Sequence, residues 1–406
     1  MKYYFAFICA FLLLDSLFAQ SPIIIEGRLK GVEEGTMITL MKTEGNVGIS
    51  VAKDSIVNGR FSISYSPDTQ DLGEYSLMGT GEGFPSMSLR LWSKAGNHIT
   101  IEGKDKLIYS WDVESSIPQQ AEWSYFIKAN KESWEEYQKL VAQRSTLINT
   151  YYDDNVSKEE RKVLKTQMDS LDRLASLYNY EIDKSNLALL QKEGKMTEVR
   201  LGVLKGIAQA IKWDKREEFR PAVEELYGRL NTEMKESRYG EEIALALYPP
   251  QAPQIGDPLY DAALHDLTDR VYHLADFKGR YILLDFWSYG CGPCHASVPE
   301  MKELHEKYSD SLTIVSLSSD NRKMWEEASK VFGMTWLNLS DGKENRGIYA
   351  KYGINGIPHY VLIAPDGKIK ATWTGYGEGS LKRKISEFTG ISIVDHANPA
   401  GGIGGT

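Results

Sequence analysis

Cysteine is scarce. The 406-residue chain has three, and Cys9 falls within an N-terminal apolar run. The other two, Cys291 and Cys294, stand two residues apart in SYGCGPCHASVP (288–299). One bridge across so short a loop removes almost no chain entropy, so a disulfide-stapled scaffold does not explain the pair. A structural zinc site needs four ligands. There is no second cysteine pair, and His295, His305 and His359 follow no zinc spacing. Basic charge is also short: Lys and Arg total 47 against 56 Asp and Glu, for a net charge of −9, which disfavours a nucleic-acid partner. Gly79-Thr80-Gly81-Glu82-Gly83 is glycine-rich but is followed by neither Lys-Ser/Thr nor a helix, so it reads as a loop. No flavin, nicotinamide or other cofactor is indicated.

Long apolar runs are missing beyond the start of the chain. There Lys2 precedes an apolar run from Tyr3 to Leu14, which Asp15 ends short of the roughly 20 residues a bilayer span needs. Leu17-Phe18-Ala19 is suited to cleavage, so residues 1–19 are expected to be a signal peptide, with the mature chain starting at Gln20. The expected product is an exported protein without stable membrane insertion. It would work in an oxidising compartment and carry only Cys291 and Cys294.

Four zones follow. Residues 20–117 carry β-branched alternation broken by Gly and Asn, as in IIIEGRLKG, TMITLMK, DSIVNGRFSISY and HITIEGK. This predicts an all-β, sandwich-like domain, with a hairpin at Asn58-Gly59, where both residues tolerate positive φ. In 118–248 Gly and Pro become rare and apolar residues recur at helical spacing. Trp123, Phe126, Trp134, Tyr137 and Leu140 fit one core-facing stripe, and the charge runs fit solvated faces. Pro249-Pro250-Gln251-Ala252-Pro253 opens a linker, 249–254. A third domain is expected over 255–393, before a Gly-rich tail, 394–406.

In the third domain YILLDFWSY reads as a central parallel strand covered on both faces. GCGPC and a helical pattern follow at once, then the strand SLTIVSLSS and the helix NRKMWEEASKVFG. HYVLIA and KIKATWT flank Pro365-Asp366-Gly367 and should form an antiparallel hairpin, before the closing helix EGSLKRKISEF. The result is a mixed sheet between helices. Both cysteines therefore fall at a strand-to-helix turn. A helix N-terminus presents unpaired N–H groups and partial positive charge, which favours a thiolate at Cys291. Cys291, ahead of the first turn, is expected to be exposed and to attack. Cys294, one turn in, is expected to be shielded and to resolve the mixed disulfide. Pro293 suits a first turn. Asp285, inside the apolar strand, is expected to have a raised pKa and to take the proton of Cys294.

DFWSYGCGPC resembles the thioredoxin superfamily, and Pro299 is similar to that family's helix-kinking proline. Gly356-Ile357-Pro358 resembles the family's cis-proline loop. VYHLADFKGRYILLDFW, SSDNRKMWEEA, WLNLSDG and YGINGIPHYVLIAPDGKI resemble its exported TlpA/ResA branch, over roughly the last third of the chain. The β zone resembles the domain that precedes such modules in Bacteroidetes envelope proteins. The resemblance implies an α/β thioredoxin fold and a thiol–disulfide oxidoreductase that mainly reduces protein disulfides. It implies a client-docking surface of Trp287, Tyr289, Gly292, Pro293, Ile357 and Pro358. It also implies disulfide-containing clients, a membrane thiol–disulfide electron donor, and a site in the periplasm or envelope of a Gram-negative bacterium. Several positions depart from the pattern. Gly290 replaces the usual Trp before the first cysteine, with Tyr289 just ahead. Ser297 stands where many relatives have Glu, which argues against a role in cytochrome c maturation. His359 follows the proline where Thr is frequent. His295, after Cys294, reads as a solvated helix residue. Two other functions compete: a thiol peroxidase, disfavoured because Ser288 and Tyr289 replace the Thr and Pro such enzymes carry, and a non-enzymatic envelope scaffold.

Overall fold

The computed structural model describes residues 21–44, 47–192 and 194–393. The expected leader (1–19) and the expected tail (394–406) therefore lie outside the described residues. The expected fold class is borne out: an all-β region, a helical region and a C-terminal α/β domain of thioredoxin type follow in that order. The chain forms two compact units. One comprises the residues up to Met41 with Ser50–Asn179, and the other Lys42–Ile49 with Tyr180 onward.

The β region comprises β1 (Ile23–Leu29), β2 (Met37–Glu44), β3 (Val47–Ser55), β4 (Arg60–Tyr65), β5 (Gly73–Thr80), β6 (Leu89–Ser93), β7 (His98–Gly103) and β8 (Asp112–Ser115). They form two four-stranded sheets, ordered β4-β1-β7-β8 and β3-β2-β5-β6. Alternate residues point inward, so Ile25, Ile63 and Ile99 of one sheet share a core with Leu40, Leu77 and Leu91 of the other. Gly27 lies opposite Phe61 in the β1–β4 register, and the Phe61 ring covers it so closely that an added Cβ would sit 1.9 Å from a ring carbon. Asn58 and Gly59 do turn with positive φ, 51° and 68°, and Val57 bridges Arg60. The expected hairpin goes no further, because β3 and β4 belong to different sheets. The turn is a sandwich corner.

Helices α1 (Pro118–Ala129), α2 (Lys131–Tyr151) and α3 (Lys158–Lys192) follow. The single stripe expected from Trp123 to Leu140 is interrupted, because the helix breaks at Asn130. Phe126 is buried. Trp134 instead packs edge-on against Tyr109 and Tyr137.

In the second unit lie α4 (Glu198–Trp213), α5 (Arg220–Gly228), α6 (Thr232–Glu236) and α7 (Arg238–Leu247). Thr197, Asn231 and Ser237 cap α4, α6 and α7 by accepting backbone N–H bonds. The buried faces of α4 and α7 carry Leu204, Ile207, Ile211 and Ile243. Two ion pairs tie α7 to the α/β domain, Arg238–Glu344 at 3.0 Å and Arg346–Glu241 at 2.7 Å.

The α/β domain opens with the short pair β9 (Leu264–His265) and β10 (Val271–Tyr272). It continues through β11 (Tyr281–Trp287), α8 (Gly292–Tyr308), β12 (Leu312–Ser318), α9 (Arg322–Phe332), β13 (Leu337–Leu339), α10 (Ile348–Lys351), β14 (His359–Ile363), β15 (Ile369–Thr374) and α11 (Ser380–Thr389). The sheet order is β13-β12-β11-β14-β15. β11, β12 and β13 are parallel, whereas β14 and β15 are antiparallel. The Pro365-Asp366-Gly367 turn closes the expected β14–β15 hairpin, with Gly367 at φ 84°. Every residue of β11 after Tyr281 is buried, which is why the strand reads as a continuous apolar run. Its faces alternate. Ile282, Leu284 and Phe286 enter one core, and Leu283 faces Met301 and Leu304 of α8 in the other. On that α8 side, the Glu300 carboxylate accepts the N–H groups of Gly379 (3.2 Å) and Lys382 (2.7 Å), capping α11 from another helix.

Candidate active site

Strand β11 delivers the site. By period-two alternation, Asp285 and Trp287 share the face of Leu283, toward α8. The chain then turns through Ser288–Cys291 and enters α8 with Pro293 in its first turn. Cys291 is the N-cap, and its Sγ accepts the backbone N–H of Cys294 at 3.2 Å. The two cysteines are joined, with an S–S distance of 1.94 Å.

Cys291, expected to be exposed, is not: it is 8% exposed, against 3% for Cys294. Apolar side chains pack around the disulfide. Trp287, Trp325 and Ala328 lie behind it, and Leu267, Tyr289, Phe332, Met334 and Ile357 border it. Gly292 and Pro293 are exposed beside it, and Pro358 is buried. The Ile357-Pro358 peptide is cis. Of the docking residues read from sequence, Trp287, Tyr289 and Ile357 thus fall in one cluster with the sulfurs. Trp287 itself is 1% exposed, so it lies beneath the others.

Asp285 is fully buried. Its strand neighbours are Ser316 on β12 and Tyr360 on β14. Ser316 donates to its Oδ2 at 2.7 Å and accepts the Trp336 indole N–H at 2.8 Å, while Oδ1 has no hydrogen-bond partner. Burial, opposed only in part by the Ser316 bond, pushes the carboxyl up to about 7. Burial and, less strongly, the nearby Asp285 charge push the Tyr360 hydroxyl far above its ordinary value.

His295 is not the solvated helix residue expected. Its ring lies 4.2 Å from that of Phe332, and its Nε2 meets the carbonyl oxygen of Tyr289. Ser297 is fully buried and donates to the Cys294 carbonyl at 2.7 Å. His359 faces away from the sulfurs onto β15, with its ring nitrogens 2.8 Å from Thr374 Oγ1 and Thr372 Oγ1. Burial holds its pKa below the usual histidine value. Two residues of the site escape sequence reading. Asp320 is 2% exposed and accepts the Tyr289 N–H at 2.8 Å. The buried Tyr349 hydroxyl lies within hydrogen-bond distance of the carbonyls of both Trp287 and Leu317, which share its single proton. In sequence Asp320-Asn321 signals only a helix start, and nothing near Tyr349 points at Trp287. Among the described residues no group of three or more His, Cys, Asp or Glu side chains could hold a metal.

The α/β domain thus sets a disulfide-bonded cysteine pair at the N-terminus of α8, with a buried carboxyl on the strand before it and a cis Ile357-Pro358 peptide in the site. A family model described as thioredoxin-like matches residues 279–369. The thiol-disulfide oxidoreductase ResA of Geobacillus thermodenitrificans is 30% identical over 126 residues, 30% of this chain and 71% of that protein. The thioredoxin-like protein YneN of Bacillus subtilis is 28% identical over 123 residues, 30% of this chain and 72% of that protein. Among solved structures, the thioredoxin domain of a thiol-disulfide oxidoreductase from Bacteroides vulgatus is 27% identical. It covers 34% of this chain and 99% of its own, with a TM-score of 0.31. The chain belongs to the ResA-like branch of the thioredoxin superfamily, and its activity is that of an oxidoreductase.

Proposed function

We propose that the protein is exported and reduces disulfide bonds in client proteins through the Cys291–Cys294 pair. In the dithiol form the Cys291 thiolate attacks one sulfur of a client disulfide. A bond forms between Cys291 and that sulfur, and the client's other sulfur leaves as a thiolate and takes up a proton. Cys294, having passed its proton to Asp285, then attacks Cys291 Sγ. The Cys291–Cys294 disulfide forms, and the client's second sulfur leaves and is protonated. Two electrons have moved, so the client is reduced and the pair oxidised. A membrane thiol–disulfide partner returns the electrons. Tyr289, Ile357 and Pro358 border the client, with Gly292 and Pro293 at the rim and Trp287 beneath.

One observation carries this reading: Cys291 Sγ accepts the Cys294 N–H at the helix start while bonded to the Cys294 sulfur. That placement favours Cys291 as attacking and leaving thiolate. Export rests on the N-terminal sequence. No helix among the described residues is long and apolar enough to cross a membrane. The periplasm or envelope of a Gram-negative bacterium is the proposed site of action.

The test is a trap. Cys294→Ala should leave a stable mixed disulfide between Cys291 and its clients, resolved on non-reducing gels and identified by mass spectrometry. Cys291→Ala should capture none. Equal capture by both variants, or by neither, would refute the assignment.

A further inference from the structure

The stretch between β11 and α8 is short, irregular and contains Gly290. Two side chains from different elements hold it at one residue, Tyr289, through the peptide groups on either side of its Cα. Asp320, in the β12–α9 turn, accepts the Tyr289 N–H through Oδ2 at 2.8 Å. His295, one turn into α8, donates from Nε2 to the Tyr289 carbonyl. Each holder is itself braced. The Asp320 Oδ2 also accepts Ser318 Oγ at 3.0 Å, and the Ser318 Oγ accepts the Asp320 N–H at 3.1 Å. The His295 ring lies against Phe332, whose ring also contacts Tyr289 and Trp287. Ser319 N–H donates to the Trp287 carbonyl at 3.2 Å just upstream.

We infer that His295 and Asp320 are positioning residues which clamp the backbone on both sides of Tyr289 and so hold Cys291 in place when its disulfide is open. This rests on the redox reading above and goes beyond it. In the oxidised protein the Cys291–Cys294 bond closes the loop covalently. In the dithiol and mixed-disulfide states that link is gone, and Gly290 adds no side chain to restrain the backbone. The two hydrogen bonds to the Tyr289 backbone then hold the stretch ahead of Cys291, while Cys291 itself keeps its N–H bond to the Ser288 carbonyl at 3.2 Å and its carbonyl accepts the N–H groups of Cys294 and His295 at 3.1 and 3.2 Å. Loss of the two Tyr289 bonds weakens the reduced state more than the oxidised one. The dithiol–disulfide equilibrium therefore moves toward the disulfide and the reduction potential falls. A residue that merely supports the fold lowers both redox states alike and leaves the potential where it is.

The experiment equilibrates the full chain with glutathione buffers of known ratio and measures the fraction of dithiol by thiol labelling. Circular dichroism checks that each variant is folded. His295→Ala keeps a good helix former in α8, and His295→Gln keeps an N–H donor near the Nε2 position without the imidazole. Asp320→Asn keeps an acceptor for the Tyr289 N–H where Asp320→Ala does not. The expected result is a shift of about tenfold toward the disulfide in each Ala variant, roughly 30 mV more negative, with the Gln and Asn variants near wild type. The clamp is overturned if the Ala variants keep the wild-type equilibrium. It is also overturned if His295→Gln shifts as far as His295→Ala, since the imidazole's charge would then be what matters. If the wild-type chain itself does not exchange with glutathione, the proposed redox function fails and takes this inference with it. With the wild type cycling normally, a negative result falls on the clamp alone.

Discussion

Replacing Asp285 with Asn should remove a pH dependence that burial has built into the α/β domain. The folded carboxyl titrates at about 7, raised by desolvation, whereas an unfolded Asp titrates near 3.9. Between those values the folded chain holds a proton that the unfolded chain has lost. The stabilisation is therefore complete below about pH 4 and disappears as pH rises through about 7. At pH 5.5 the folded group lies about 1.5 units below its own pKa, worth about 2 kcal/mol at 1.36 kcal/mol per unit. At pH 8.5 it contributes almost nothing. The amide of the Asp285→Asn variant would still accept the Ser316 hydroxyl and has no proton to lose. Urea unfolding of oxidised wild type and Asp285→Asn, at both pH values, isolates the effect, because all other titrating groups cancel in the difference. Asp285→Asn should gain about 2 kcal/mol on the wild type between pH 5.5 and 8.5. A pH-independent difference would refute the buried, late-titrating carboxyl. The same variant should slow release of a client from Cys291 by roughly 10²–10⁴, the usual contribution of a positioned base. The mixed disulfide should then accumulate in rapid-quench experiments.

Other substitutions probe the scaffold. Glu300→Ala removes the acceptor for the Gly379 and Lys382 N–H groups. Capping losses of this kind cost roughly 0.5–2 kcal/mol, so α11 should lose amide-exchange protection before the sheet does; unchanged protection would show that the cap contributes nothing. Gly27→Ala drives a methyl into the Phe61 ring. Overpacking at roughly 1–3 kcal/mol should lower the melting temperature of the β-sandwich, and an unchanged melting curve would mean that Phe61 moves aside freely.

Residues whose role is local could be read directly from the chain. YILLDFW announces a strand covered on both faces, because nothing polar but Asp285 interrupts it. GCGPC immediately after it places a cysteine pair at a helix start, since Pro293 is suited to a first turn and not to the turns beyond it. Asp366-Gly367 sets the β14–β15 turn by its backbone tolerance. Signals weaken where pairing is non-local. Asn58-Gly59 specifies a tight turn but not which sheet each flanking strand joins, and the three-residue β13 is too short to show a period.

The sequence by itself determined the parts of the proposed chemistry: two cysteines three positions apart, the helix that begins between them, and the carboxyl six residues ahead of the first. Each follows from neighbours along the chain. Only the tertiary structure decided that Cys291 is sheltered, that His295 turns back onto Tyr289, and that Asp320 arrives from the end of the next strand to hold the same residue. Those facts depend on which apolar faces pack together. Asp320 and Tyr289, 31 residues apart in the chain, meet only once β11 and β12 have paired.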